Sequence, residues 1–219
     1  MTQHVSESIV YQGQFGEFTI NEGDRTGVIV YRTGLMVAAL SFALGSALVL
    51  LNHNAVNLQI LTPLFACFCI ALGVSLFTIH IYLAALHRLL QFFWAIGTLS
   101  AVFFAVSSVE PLALTIYNYP TSLFGVGFVF AALTGIYFKE AFCFDRLETK
   151  ILTPLVPILL LGHILQVLPV QLEQIMLAGW ATLFVVFALR KIMQPIPPDI
   201  GDKSVFVYLK QQRFKSSEF

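Results

Sequence analysis

The stretch from Thr33 to His87 contains no Lys, Arg, Asp or Glu. A membrane-spanning helix needs about 20 mostly apolar residues, so this stretch has room for two crossings, with residues 52–57 as the turn between them. A charge at the centre of a bilayer costs roughly 2.5–3.5 kcal/mol on insertion scales. So long a run without charge therefore indicates a polytopic membrane protein.

The composition agrees with lipid as the main solvent. Hydrophobic residues make up 58% of the chain and charged residues 11%, whereas soluble domains have about 25% charged residues. The net charge of zero gives no electrostatic indication of nucleic acid as a partner. The three cysteines form no CxxC motif, so we expect reduced thiols and no metal site.

Six apolar segments predict an all-α, six-helix transmembrane bundle. We expect a cytoplasmic N-terminal arm over 1–33, a transmembrane domain over 34–189 and a cytoplasmic C-terminal tail over 190–219. The predicted spans are 34–51, 60–85, 90–106, 121–138, 151–168 and 173–189.

The basic residues predict the orientation of this bundle. All twelve lie before the first span, after the second, after the fourth or after the sixth, and the other three loops have none. Because cytoplasmic loops carry the excess of Lys and Arg, the pattern predicts six crossings with both termini in the cytoplasm. Only Glu110 and Glu173 would be charges on the outer side.

The two polar ends of the chain carry weaker signals. Residues 11–20 alternate apolar and polar side chains, which is typical of a short strand, and Thr19–Glu22 fits a helix capping box. In the tail, residues 204–209 fit either a short strand or an apolar face lying on the membrane. We also considered that this segment pairs with residues 11–20 of the N-terminal arm as a small cytoplasmic cap.

Ionisable residues inside a membrane are candidates for function, and the spans contain only histidines. His80 and His163 are weak candidates for binding a haem or a metal. Helix geometry puts them at different depths, at 1.5 Å per residue, so they do not suit the axial positions of one haem. The sequence favours neutral histidines hydrogen-bonded across helices, with no cofactor.

Neither catalysis nor transport has a clear motif. No GxSxG, HExxH or glycine-rich phosphate loop occurs, so we do not expect an enzyme. Gly125, Gly127 and Gly135 in the fourth span indicate either flexibility or close helix packing, and packing is favoured. No acidic residue is expected near the middle of the membrane.

The most distinctive string is residues 138–146, between the fourth and fifth spans. It combines charged and aromatic side chains at the inner interface, which suits either a docking patch or an anchored turn. The candidate interaction residues in it are Lys139, Glu140, Phe142, Phe144, Asp145 and Arg146.

Three segments together resemble a family of integral membrane proteins labelled as domain of unknown function 2301. They are residues 11–18 (Tyr-Gln-Gly-Gln-Phe-Gly-Glu-Phe), 31–34 (Tyr-Arg-Thr-Gly) and 139–144 (Lys-Glu-Ala-Phe-Cys-Phe). The resemblance covers nearly the whole chain and is associated mainly with cyanobacteria. It implies a multi-pass protein of the plasma or thylakoid membrane and assigns no site.

Two functions fit these features. The first is a non-catalytic interaction or assembly factor for a larger membrane complex, because buried charge is lacking and 21 phenylalanines can pack against other helices. The second is a small-solute carrier or channel, suggested by six spans and the glycines of the fourth. A redox role resting on the histidines is third.

Overall fold

A computed structural model describes residues 9–51, 55–81 and 83–216. The described chain begins with a hairpin of two strands, β1 (Val10–Gly13) and β2 (Gly16–Thr19), paired antiparallel with Tyr11 opposite Phe18. The rest is helical. The helices are α1 (Glu22–Leu51), α2 (Ala55–Thr78), α3 (Ala84–Ser107), α4 (Leu112–Asn118), α5 (Leu123–Phe144), α6 (Leu147–Ile164), α7 (Val170–Met193), α8 (Pro197–Ile200) and α9 (Lys203–Ser216).

Within the described residues, six helices are long and apolar enough to cross a membrane: α1, α2, α3, α5, α6 and α7. This confirms the predicted number of spans. Each packs against two neighbours, in the order α1, α2, α3, α5, α6, α7 and back to α1. The six helices therefore form a closed ring.

Several helix ends differ from the prediction. Helix α1 begins at Glu22, twelve residues before the predicted span, and α2 ends at Thr78, before His80. Helices α5 and α7 run to Phe144 and Met193, beyond the predicted ends at 138 and 189. We predicted that each span ends where charged residues begin. Charged residues nevertheless lie inside these helices, because they form ion pairs with residues of other helices. The predicted turn at 52–57 lies partly outside the described residues.

The start of α1 is fixed by a reciprocal cap. The Asn21 side chain accepts a hydrogen bond from the Asp24 amide at 2.9 Å, and the Asp24 carboxylate accepts one from the Asn21 amide at 2.9 Å. The capping box is therefore Asn21–Asp24, and the predicted box at Thr19–Glu22 was wrong. Both pairings satisfy backbone donors that a helix start leaves free.

Aromatic side chains fill the centre of the ring. We call Phe42, Phe68, Phe130, Trp180 and Phe184 the aromatic core. Trp180 lies 4.4 Å from Phe42 and 5.1 Å from Phe130, ring centre to ring centre. Trp180 and Phe184 are buried, and the Trp180 indole donates to the Tyr137 hydroxyl at 3.2 Å. The core joins helices α1, α2, α5 and α7 near their middles.

Candidate functional site

One end of the ring, which we call the charged end, holds the starts of α1, α3 and α6 and the ends of α2, α5 and α7. Every Lys and Arg that the structure describes lies there or on the segments that extend from it. The opposite end carries Glu110 and Glu173. This distribution of Lys and Arg agrees with the sequence, in which the basic residues lie in alternate loops.

A pair of fully buried charges lies at the centre of the charged end. The Lys191 ammonium on α7 is 2.6 Å from a Glu140 carboxylate oxygen on α5, and neither side chain has measurable exposure. The other Glu140 oxygen accepts from Lys139 at 2.8 Å and from the Tyr31 hydroxyl at 3.4 Å. Lys191 also lies 4.0 Å from the centre of the Phe144 ring. Its charge is thus paired and covered by an aromatic face.

Asp199 brings the C-terminal segment into the same site. Its carboxylate pairs with Lys191 and accepts from Arg32 of α1, at 2.8 Å from Nε and 2.7 Å from Nη2. Arg32 also donates to the backbone carbonyls of Gln194, at 2.6 Å, and Pro195, at 2.9 Å. We call Arg32, Glu140, Lys191 and Asp199 the ionic cluster.

A second layer of polar contacts extends the cluster towards α6. Arg146 donates to the Gln194 side chain, and that side chain donates to Asp199 at 3.3 Å. Glu148 accepts from Arg190 at 2.7 Å. One guanidinium nitrogen of Arg146 and one oxygen of Glu148 face each other at 3.7 Å without a hydrogen bond.

The four groups of the ionic cluster carry two positive and two negative charges, and Lys139 at its edge adds a third positive charge beside Glu140. Breaking a buried ion pair by removing one partner typically costs about 3–5 kcal/mol, because an uncompensated charge stays behind. The cluster therefore ties α1, α5, α7 and α8 in one arrangement. Its chemistry is that of a structural lock, since each charged group is already paired within the chain.

The string 138–146 divides into a buried and an exposed part. Glu140 and Arg146 are buried, and Lys139 pairs with Glu140. They point into the cluster, so they are not free to meet a partner. Phe142 and Asp145 are exposed, while Phe144 lies beside Lys191. A docking role for the string stays a prediction, and it now rests on Phe142 and Asp145.

The two candidate histidines lie at opposite ends of the ring. His80 follows the end of α2 at the charged end, outside the helix in which we had predicted it. His163 lies in the last turn of α6, where it contacts Glu173 at 2.8 Å. One cofactor cannot bridge them at this separation. His163 is hydrogen-bonded to a neighbouring helix, as favoured from the sequence.

The hairpin and α9 pack together as a cap at the charged end. The Phe15 and Tyr208 rings stack at 4.0 Å, and the Phe15 amide donates to the Ser204 hydroxyl at 3.0 Å. Lys203 pairs with Asp24 at 2.7 Å. The considered contact between arm and tail is therefore present. The tail segment is a helix, however, and the strand considered for residues 204–209 was wrong.

The cap borders an open cavity of about 590 Å³. Its walls come from the hairpin, the start of α1, His80 and α9, and include Phe18, Asp24, Val207 and Gln211. A volume of 300–1,000 Å³ is typical of ligand pockets. The cavity lies at the charged end, beside the start of α1.

Burial lowers the pKa of His80 below its usual value of 6.5, with smaller opposing effects of Asp24 and Asp199. Lys139 and Lys203 lower it further. As the pH falls, the unfolded chain therefore binds a proton at His80 before the folded protein does. The folded protein becomes less stable as the pH falls below 6.5.

We expect a His80→Gln variant to lose less stability than the wild type between pH 7.5 and 5.5. Denaturant unfolding at each pH measures this difference. Equal pH slopes in the two proteins would contradict the assignment of a half-buried, neutral His80.

The glycines of α5 support close packing at two of three positions. A Cβ added at Gly125 would lie 2.7 Å from the Ser100 hydroxyl of α3, and one at Gly135 would collide with Leu90. At Gly127 the nearest atom is 4.0 Å away, on the same helix. Gly125 and Gly135 therefore let α3 and α5 approach closely.

No group of three or more His, Cys, Asp or Glu in the described ranges is placed to hold a metal ion. The ionic cluster was not predicted from the sequence, because Arg32 and Asp199 are far apart in the chain. A usable signal was present, because Glu140 and Lys191 both lie at the edge of an apolar run.

Comparisons with known proteins agree with this fold. Residues 74–208 match the family described as uncharacterized integral membrane protein (DUF2301). An uncharacterized protein of Haemophilus influenzae (strain Rd) is 32% identical over 184 residues, which cover 84% of this chain and 91% of that protein. No solved structure matches the chain. The association with cyanobacteria stays a prediction. The chain belongs to this family of integral membrane proteins.

Proposed function

We propose that the protein is a non-catalytic interaction subunit that helps a larger membrane complex to assemble, and that its cap receives the partner. The observation that carries this proposal is the position of the cavity. It lies in an exposed cap built from both ends of the chain, on a six-helix ring whose centre is filled.

The ring itself supports a role without transport or catalysis. The aromatic core occupies the centre where a solute path would run. The buried charges of the ionic cluster are paired with one another, so none of them is left as an unpaired acid or base for catalysis or proton transfer. The features open to water are the hairpin and α9.

The experiment is site-specific photo-crosslinking in native membranes. A photoreactive amino acid at Gln211 sits at the cavity, and one at the fully exposed Val109 serves as the matched control at the opposite end. We expect a discrete protein adduct from position 211 and none of the same mass from position 109. The same pattern at both positions, or no protein adduct at 211, would contradict a partner at the cap.

We also propose that the charged end faces the cytoplasm, in the plasma membrane or a thylakoid membrane. The distribution of Lys and Arg supports this orientation through the positive-inside rule. In a variant without the native cysteines, we expect Val109→Cys to react with an impermeant maleimide in intact cells. Gln211→Cys should react only after permeabilisation. The reverse pattern would contradict the orientation.

A small-solute carrier or channel is the competing function. Gly127 has free space beside it, which is the feature that favours it. Solute flux in liposomes containing the pure protein, abolished by Gly127→Leu, would favour a carrier and contradict the proposal. We expect no flux above that of empty liposomes.

A further inference from the structure

We propose that Arg32 and Lys191 form a binding site for an oxyanion, either carboxylate or phosphate, and that Asp199 is its tethered occupant. On this proposal, residues 194–200 are a latch that closes the charged end and that a free oxyanion releases. The proposal does not depend on the function proposed for the cap.

The contacts of Asp199 are those of a bound anion. One carboxylate oxygen accepts a hydrogen bond from Nε of Arg32 at 2.8 Å and lies 2.7 Å from Nη2 of the same guanidinium. The other faces Lys191 and accepts from Gln194 at 3.3 Å. A guanidinium and an ammonium that converge on one group are the donors with which proteins bind carboxylates and phosphates. The Asp199 side chain is only 2% exposed.

The charge balance explains why this site needs an occupant. Without Asp199, Lys191 would keep Glu140, which it shares with Lys139, whereas Arg32 would keep only backbone carbonyls and so become a buried charge without a counter-ion. An unpaired buried charge is strongly unfavourable. A free oxyanion that reaches the site would supply that counter-ion in the same way as Asp199 does.

The attachment of Asp199 makes it exchangeable as a unit. It lies on α8, a single turn of helix, on a proline-rich segment between α7 and α9. The remaining donors of Arg32 bind the Gln194 and Pro195 carbonyls of that same segment. Gly201 follows with a positive φ of 69°, a conformation that glycine adopts without strain. Opening the latch therefore separates the Asp199 carboxylate and both carbonyls from Arg32 together.

The first test is chemical replacement of the carboxylate. The melting temperature of full-length Asp199→Ala in detergent is measured against sodium acetate and sodium phosphate, with sodium chloride at equal ionic strength. We expect a saturable rise with acetate or phosphate over chloride, and no such rise in the wild type or in Glu173→Ala at the opposite end. No rise in Asp199→Ala, or an equal rise in Glu173→Ala, would overturn the oxyanion site.

The second test keeps Asp199 and follows the latch itself, so it holds even if Asp199→Ala does not fold. Ile200 is 1% exposed, and Ile200→Cys in a variant without the native cysteines reports its opening. We expect acetate or phosphate to accelerate maleimide labelling several-fold over chloride at equal ionic strength. A labelling rate that does not depend on the anion would overturn the latch.

Discussion

Replacing Lys191 with alanine is expected to lower the free energy of unfolding by about 3–5 kcal/mol. The change leaves Glu140 and Asp199 as buried carboxylates that have lost a shared cation. Circular dichroism during unfolding in mixed micelles measures the loss. The double variant Glu140→Gln with Lys191→Met should recover part of it, because it removes charge on both sides of one pair.

The matched control is Lys150→Ala. Lys150 pairs with Asp145 at the same end, but the two side chains are 49% and 87% exposed. Exposed pairs contribute about 0–1 kcal/mol, so we expect at most that change. A similar loss in the two single variants would contradict the view that the ionic cluster locks the helices.

Replacing Trp180 with alanine is expected to cost about 3–5 kcal/mol, the range for removing a large aromatic side chain from a core. Trp180 contacts aromatic rings on α1 and α5, so its loss opens a cavity at the centre of the ring. The same unfolding experiment measures the change. Trp180→Phe should cost less, because it keeps a ring and mainly loses the hydrogen bond to Tyr137.

Phe103→Ala on α3 is the control for Trp180. Phe103 is 63% exposed on the outside of the ring, where lipid replaces water and little burial is lost. We expect a change much smaller than that of Trp180→Ala. Equal losses would contradict a filled, tightly packed centre.

The six spans could be predicted from the sequence because an apolar run directly reflects its lipid surroundings. Their ends could not be predicted, because the partners that stabilise Arg32 inside α1 are distant in sequence, and Asp199 lies 167 positions along the chain. The ionic cluster was out of reach for the same reason. Local pattern gives no information on which distant charges meet.

The two ends of the chain show how local signals compete. The alternation at residues 11–20 predicted one short strand, and the structure has a hairpin of two. The run Val205–Tyr208, rich in β-branched and aromatic residues, also suggested a strand. It is helical, and the Asp202 side chain accepts a hydrogen bond from the Ser204 amide at 2.9 Å. Asp202 is an N-cap residue, a signal that was present in the sequence. Packing on the hairpin then holds the helix.

On the proposed function, the protein works by binding a partner at its cap. The most direct measurement is native mass spectrometry of the protein, extracted gently from its own membrane, as wild type and as Val207→Glu in the cavity wall. We predict a second polypeptide at a fixed ratio, retained in Phe103→Ala and lost in Val207→Glu. A protein that is alone under every mild condition would contradict the claim.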